Sequence, residues 1–338
     1  MQEHRKLKCA RIIAQTVVWN ERDSGHNQLM SAINGILNLY KPTGVSSHDM
    51  VARVRRILRE KRVGHAGTLD PAAEGVLPVC VGQATRVVEY LSDARKVYCA
   101  LLGLGLTTDT YDREGVVITK RSVPDFTLAD LENVAERFRG KIEQLPPVYS
   151  AIKVAGQPLY KAARAGTAAE IDLKPRPIEI FRLDITEWHS PWLKLWVECS
   201  KGTYIRSLAY DIGESLGCGA FMAGLVRVQS GPFHLSQAYR LEEVEAAHQL
   251  GRLEAEILQP LDAVLADWPA WAIDQIAAER IRQGRNLSTD RPDWHLNDRL
   301  DPTAAALPMR RAYTEQGQLL ALLEQQDQEW HPLKVFTV

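Results

Sequence analysis

The spacing of apolar residues along this 338-residue chain changes several times, and each change marks an element. In "GILNLY", Gly35 to Tyr40, apolar residues crowd together until the turn "KPTG" stops them, which predicts a short strand. Val51, Val54, Ile57 and Leu58 then recur at helical spacing. Ser46 stands three residues ahead of Asp49, the arrangement of a capping box. "KVYCALLGLG" is an apolar run of strand length, and the turn-rich "TTDTYDREG" follows it. "TLADLENVAERFRG" predicts a helix with Thr127 as N-cap, Leu128, Leu131, Val134 and Phe138 on one face, and Gly140 as its stop. "YSAIKV", "IEIFRLDITEW" and "WLKLWVECS" read as strands. In the last, Leu193, Leu195 and Val197 alternate with Lys194, Trp196 and Glu198, a half-buried pattern. "TYIRSLAYDIGESLG" reads as a helix closed by Gly217.

Strands and helices mix without a regular βαβ beat, so the expected class is α+β with a mixed, largely antiparallel sheet and flanking helices. Residues 1–33 read as an N-terminal extension and 34–265 as the main domain. The texture changes after about Asp262, where "DWPAW" and "DRPDWHLNDRLDP" are turn-rich and short strand-like pieces such as "QLLALLEQ" and "LKVFTV" follow. Residues 266–338 are therefore expected to form a small β-rich domain.

Composition changes this picture little. Apolar residues make up 45% and charged residues 25%, as in globular proteins, and the formal net charge is −1. The charge is uneven, however. From Lys41 to Asp70 there are seven Lys or Arg against three acids, and from Leu241 to Arg280 two Arg against nine acids. One region could face a polyanion while another repels it, although a solvated helix face accounts for such a cluster by itself. Five scattered cysteines without a CxxC pair suit reduced thiols in a cytoplasmic protein, and nine histidines without HExxH or H-x3-H spacing suggest no structural zinc. No cofactor is expected. The start of the chain makes a poor signal peptide, and no apolar run approaches the ~18 residues of a membrane span.

Three places carry candidate chemistry. In "GHAGTLDPAAEGVLPV" Asp70 precedes a proline, which pushes it out of the helical region, and Gly64, Gly67 and Gly75 permit close backbone approach. Such a loop can present one carboxylate at the floor of a cleft, but an Asp-Pro pair alone is a common turn element. In "CSKGTYIRSLAYDIGE" Arg206 falls in the first turn of a helix, where the dipole prefers acids. A partner acid such as Asp70 would explain it. Tyr98 lies in an apolar strand and reads as a core aromatic or as a ring for base stacking.

Taken together, these segments resemble the TruB family of tRNA pseudouridine synthases, which convert uridine 55 of the T-arm. "GHAGTLDPAAEGVLPV" is similar to the family's catalytic motif, "INGILNLYKPTGVSSHDMV" to its opening strand and Lys-Pro turn, and "RKVYCALLGLGLTTDTYDREG" to its second block. "PVYSAIKVAGQPLYKAARAG" resembles the segment gripping the RNA arm, and "CSKGTYIRSLAYDIGESLGCGA" the block carrying its arginine. The blocks span about residues 33–228 in family order.

The resemblance implies a pseudouridine synthase fold with a PUA-like C-terminal domain, and a monomer acting on the tRNA elbow. It implies Asp70 as nucleophile, Arg206 as its ion partner and Tyr98 as the ring stacked on the target uracil. Tyr204 and Leu225 would line the uracil pocket, His65 would touch displaced bases, and Lys41 and Pro42 would support the site from beneath. Arg53, Arg56, Lys153, Lys161 and Arg164, with Lys174 and Arg176, would track phosphates. The carboxylate could attack C1′ or C6; no redox change occurs, and no metal is expected. Two other readings stay open: a tRNA-folding chaperone that needs no catalysis, and a glycosidase pairing Asp70 with Glu74 or Asp109.

Overall fold

A computed structural model describes residues 33–150, 153–154, 157–159, 173–288 and 307–337. The expected extension, all but its last residue, lies outside this set, as do Lys161, Arg164 and the side chain of Lys153. In chain order the first strands are β1 (Gly35–Lys41), β2 (Val63–His65), β3 (Glu74–Val81), β4 (Lys96–Leu104), β5 (Leu106–Thr108), β6 (Val117–Lys120), β7 (Gly140–Gln144), β8 (Lys153–Val154) and β9 (Gln157–Pro158). They are followed by β10 (Arg176–His189), β11 (Trp192–Cys199), β12 (Ala220–Ser230), β13 (Phe233–His234), β14 (Ala270–Ala272), β15 (Leu287–Ser288), β16 (Met309–Tyr313), β17 (Leu319–Gln326) and β18 (Glu329–Val335). The helices are α1 (Ser47–Leu58), α2 (Val88–Asp93), α3 (Leu128–Glu136), α4 (Ile205–Ser215), α5 (Leu241–Gln249), α6 (Leu253–Glu256) and α7 (Gln275–Arg282).

The main sheet runs β1-β3-β12-β4-β11-β10-β7, with β2 paired to β3 and β13 to β12. Only the β3–β12 pairing is parallel among these ladders, so the sheet is mixed and largely antiparallel as expected. Helices α3 and α4 cover one face of its centre. Leu131, Ala135, Ile205, Leu208 and Ile212 pack there on Ala100, Leu102, Leu195, Val197 and Met222. Helices α1 and α5 cover β1 and β3 through Val51, Val54, Leu58 and Val244. The Ser46–Asp49 capping box forms as the sequence predicts, and Thr127 caps its helix as expected, completing a second box with Asp130. Two boundaries differ. Of the strand expected over Tyr149–Val154, only Lys153–Val154 is strand among the described residues, with Tyr149 and Ser150 in a bend. Helix α3 ends at Glu136, and Phe138 reaches the core from the turn beyond it, where the N–H of Phe138 bonds to the carbonyl of Ala135.

The C-terminal sheet, β14-β16-β17-β18-β15, is distinct from the main one. Its packing is continuous with the main domain, however. Leu322 and Phe336 join a core cluster with Ile36, Val76, Val87 and Leu91. Asp262 ties the two parts further, 2.8 Å from the Arg311 guanidinium and accepting the Tyr313 hydroxyl. The described residues accordingly hold together as one unit.

The parallel pairing of β3 and β12 depends on a glycine. Gly75 lies opposite Arg227 with φ +111°, and a Cβ on it would sit 2.3 Å from the Arg227 carbonyl oxygen. Gly75→Ala is expected to destabilise the protein by about 2–3 kcal/mol, combining left-handed strain with a backbone clash. Urea unfolding would measure this, and an unchanged midpoint would show that the ladder can shift to make room.

Candidate active site

The loop between β2 and β3 carries Asp70 and is tied down on every side. Ser47, the first residue of α1, accepts the Leu69 N–H at 2.8 Å and donates to the Leu69 carbonyl at 3.0 Å. The Asp70 carbonyl accepts the Ala73 N–H, and the Pro71 carbonyl accepts the Gly44 N–H. Every buried backbone group here needs such a partner. Because Pro71 follows it, Asp70 stays outside any helix, and its side chain is partly exposed at the floor of a cleft of about 680 Å³.

Arg206 reaches Asp70 from α4. Gln144 at the end of β7 grips the start of this helix, donating to the Tyr204 carbonyl at 3.0 Å and accepting the Tyr204 N–H at 2.8 Å. Ser207 adds a bond to the Leu145 carbonyl. With its base fixed, Arg206 points its Nε at Asp70 Oδ2, 2.9 Å away, and its two Nη groups at the carbonyls of Thr110 (3.2 Å) and Tyr149 (2.9 Å). A second carboxylate, Asp112 Oδ2, lies 3.7 Å from Nη1. Asp112 is only 5% exposed and is held by the Thr110 hydroxyl and the Glu114 N–H. Arg206 thus bridges two acids. The sequence suggested the first. The second sits in the turn-rich "TTDTYDREG", where an aspartate reads as turn chemistry.

The cleft walls bring together most of the remaining candidates. Tyr98, Tyr204 and Leu225 all line it with Asp70 and Arg206. Burial pushes the Tyr98 hydroxyl upward, opposed by the nearby Arg227 charge, and burial likewise raises Tyr204. His65 is placed differently. It lies on β2, outside the cleft lining, with its Nδ1 buried and without a hydrogen-bond partner among the described residues. Burial and the Arg227 charge hold its pKa below that of an ordinary histidine. Arg53 and Arg56 stand exposed on α1, and Lys174 and Arg176 stand exposed near the start of β10.

The other acids face elsewhere. Glu74 accepts the Tyr40 hydroxyl and lies outside the cleft lining, and Asp109 accepts the Val116 N–H at 2.7 Å. Neither forms a carboxylate pair with Asp70 across the cleft, which removes the geometric support for a glycosidase. Among the described residues no group of three His, Cys, Asp or Glu side chains is placed to hold a metal. A second hollow of about 510 Å³, lined by Leu101, Arg113, Trp192, Phe221 and Ala223, offers no carboxylate. Leu101 faces away from Tyr98 and Leu102 by strand alternation, so this hollow belongs to the other face of the sheet.

Three buried cations surround the floor, and sequence reasoning gave only one of them a place there. Lys41 donates to the carbonyls of Val45 at 2.8 Å and Pro42 at 3.0 Å, and more weakly to Pro71 at 3.5 Å. Lys96 donates to the carbonyls of Ala94 and Ser92. Arg227, 1% exposed, donates to three more carbonyls. Burial pushes the ammonium groups of Lys41 and Lys96 each down to about 8, with Asp70 opposing the shift at Lys41 and Arg227 adding to it at Lys96.

At pH 9 the folded protein has therefore shed most of both protons, whereas an unfolded lysine keeps its proton to about 10.5. Between those limits unfolding takes up protons, so the contribution of these lysines to stability rises with pH. Lys96→Met is expected to take up about one proton fewer on unfolding at pH 9 than the wild type. Calorimetry in buffers of different ionisation heat measures this, and equal uptake would place the Lys96 pKa near its ordinary value.

Comparison with known proteins gives a consistent result. Residues 55–205 match the family described as TruB family pseudouridylate synthase, N-terminal domain. Residues 206–266 match the tRNA pseudouridylate synthase B C-terminal domain. The chain is 42% identical over 305 residues to a tRNA pseudouridine synthase B of Dehalococcoides mccartyi, covering 90% of this chain and 97% of that one. It is 48% identical over 248 residues to the one from Pseudomonas fluorescens, covering 73% and 80%. Among solved structures it resembles an H/ACA RNP bound to a substrate RNA containing 2′-deoxyuridine, at TM-score 0.66 and 25% identity over 90% of this chain and 85% of that one. It also resembles a Cbf5-Nop10-Gar1 complex at TM-score 0.66 and 27% identity, covering 90% and 84%.

Proposed function

The chain belongs to the TruB family of pseudouridylate synthases, and from that membership we propose that it isomerises uridine 55 in the T-arm of tRNAs with Asp70 as the nucleophile. As a tRNA pseudouridine synthase it is an isomerase. The reaction breaks the N1–C1′ bond, turns the base and joins C5 to C1′. C5 gives up its proton and N1 gains one, so the balance needs no oxidant or reductant.

The observation carrying this reading is the 2.9 Å pairing of Arg206 with Asp70 at the floor of a cleft walled by Tyr98, Tyr204 and Leu225. A carboxylate so oriented can add to an electrophilic carbon of the nucleotide. The aromatic and apolar walls suit a uracil ring that has left its sugar but must not escape. Tyr98 stacks on that ring, Tyr204 and Leu225 line its pocket, and His65 meets the bases displaced by flipping. Extrusion of the base costs roughly a few kcal/mol, which stacking and phosphate contacts offset. Arg53 and Arg56, with Lys153, Lys161 and Arg164, supply those contacts, and one chain acts on one tRNA.

Tritium release from a T-arm minihelix carrying 5-tritiated uridine tests the reaction directly. The wild-type protein is expected to release the label from one uridine per minihelix. No release from a folded, RNA-bound protein would end this reading.

A further inference from the structure

Beside its own Asp70–Ala73 bond and the contacts of Gly44 and Lys41 to Pro71, the reactive loop is bonded by two side chains from different elements. Arg227, on β12, donates through Nε to the Val76 carbonyl at 2.7 Å, through Nη2 to the Gly67 carbonyl at 3.1 Å and through Nη1 to the Thr68 carbonyl at 3.4 Å. One buried guanidinium thus spans both flanks of the loop, three and two residues before Asp70 and six residues after it. Ser47 meets the loop from α1, bonding both polar backbone groups of Leu69, the residue next to Asp70. Ser47 is 2% exposed and Leu69 3% exposed, so water cannot replace these bonds. Neither side chain is needed to terminate its own element. Ser46 already caps α1, and Arg227 makes its strand pairings through the backbone. A guanidinium buried without a carboxylate partner is costly unless its donors have a task, and here two nitrogens bond to carbonyls of the loop and the third to the start of β3.

We propose that Ser47 and Arg227 are positioning residues, which hold the loop between β2 and β3 so that the Asp70 carboxylate meets both Arg206 and the target nucleotide. This rests on the reading of Asp70 as nucleophile. Ser47 stands outside the cleft lining and acts through the backbone of the loop; Arg227 lines the cleft beside Tyr98, and its bonds to the loop run to backbone carbonyls. A displacement of about 1 Å at a nucleophile costs on the order of a hundredfold in rate. Substrate binding, which is spread over many phosphate contacts, is far less sensitive to such a displacement.

The test compares full-length wild type, Ser47→Ala, Arg227→Lys and Asp70→Ala in single-turnover reactions on a tRNA transcript. Kd for that transcript and hydrogen exchange at the Leu69 amide are measured in parallel. Ser47→Ala and Arg227→Lys are expected to react about tenfold to a hundredfold more slowly, with Kd within about twofold of wild type. In Ser47→Ala the Leu69 amide should exchange faster while the amides of β4 stay protected. A purely structural role would instead loosen β4 as well and weaken binding in step with the rate. If Arg227→Lys does not fold, Ser47→Ala decides alone. Full-rate turnover by Ser47→Ala beside an inactive Asp70→Ala would overturn this inference only. Normal turnover by Asp70→Ala would overturn the nucleophile reading, and this inference with it.

Discussion

Asp70→Asn is expected to bind tRNA normally and to make no measurable pseudouridine. Asparagine has nearly the shape of aspartate, so the loop held by Ser47 and the Pro71 contacts should keep its course. What the change removes is the anionic oxygen that sits 2.9 Å from Arg206. An amide is a poor nucleophile, and loss of an enzyme's nucleophile typically costs about four to six orders of magnitude in rate. The affinity for tRNA should stay within about threefold, since phosphate contacts and stacking supply most of it. Filter binding and single-turnover assays on one preparation check both halves. Residual turnover within about tenfold of wild type would remove Asp70 from the chemistry.

Arg206→Met is expected to damage both stability and rate. Arg206 is 6% exposed and serves two carboxylates and two carbonyls. The change removes the one ion partner of Asp112 among the described residues and strands the carbonyls of Thr110 and Tyr149. Removing one member of a buried ion pair costs about 3–5 kcal/mol. The Asp70 arm must be discounted, because that side chain is 38% exposed and screened by water. The expected loss is then about 3 kcal/mol, a drop in Tm of about 6–10 °C. Turnover of the folded fraction should fall by about a thousandfold, since the Asp70 carboxylate loses the group that orients it. Arg206→Lys should recover stability better than rate, because a lysine supplies the charge without the planar fork that reaches four partners at once. Thermal melts beside single-turnover rates separate the two effects. A variant that melts early but reacts at full rate would make Arg206 structural only.

Much of this site was legible along the chain for one physical reason: its parts carry local signatures. The Asp-Pro step keeps Asp70 out of a helix, glycines around it allow close approach, and an arginine in the first turn of α4 sits against the dipole preference. Those three facts, with the resemblance to TruB proteins, anticipated a pairing that geometry supplies at 2.9 Å. Strands β1, β4, β10 and β11 and the Ser46–Asp49 capping box were legible because period and cap chemistry are local too, whereas β3 and the central strand β12 were not anticipated. Asp112, Lys96 and Arg227 carry no such signature. A charged residue in a strand or turn ordinarily faces water, and their burial depends on pairings between segments far apart in sequence, such as Arg227 opposite Tyr98 and Gly75. Long-range packing also explains the continuous core beneath the C-terminal sheet. Leu322 and Phe336 look like ordinary strand residues until Val76 and Leu91 are brought against them. Phe138 shows the converse case. Helical spacing extends the pattern through it, yet the helix stops at Glu136 and the side chain still finds the core from the turn.

The most direct measurement is position-resolved mapping of pseudouridine in a full-length tRNA transcript after incubation with wild-type protein and with Asp70→Asn. Wild-type protein is predicted to modify position 55 in the T-arm and leave other uridines unchanged, and Asp70→Asn to modify none. Pseudouridine at another position instead of 55, or at 55 with the Asp70→Asn protein, would contradict the account.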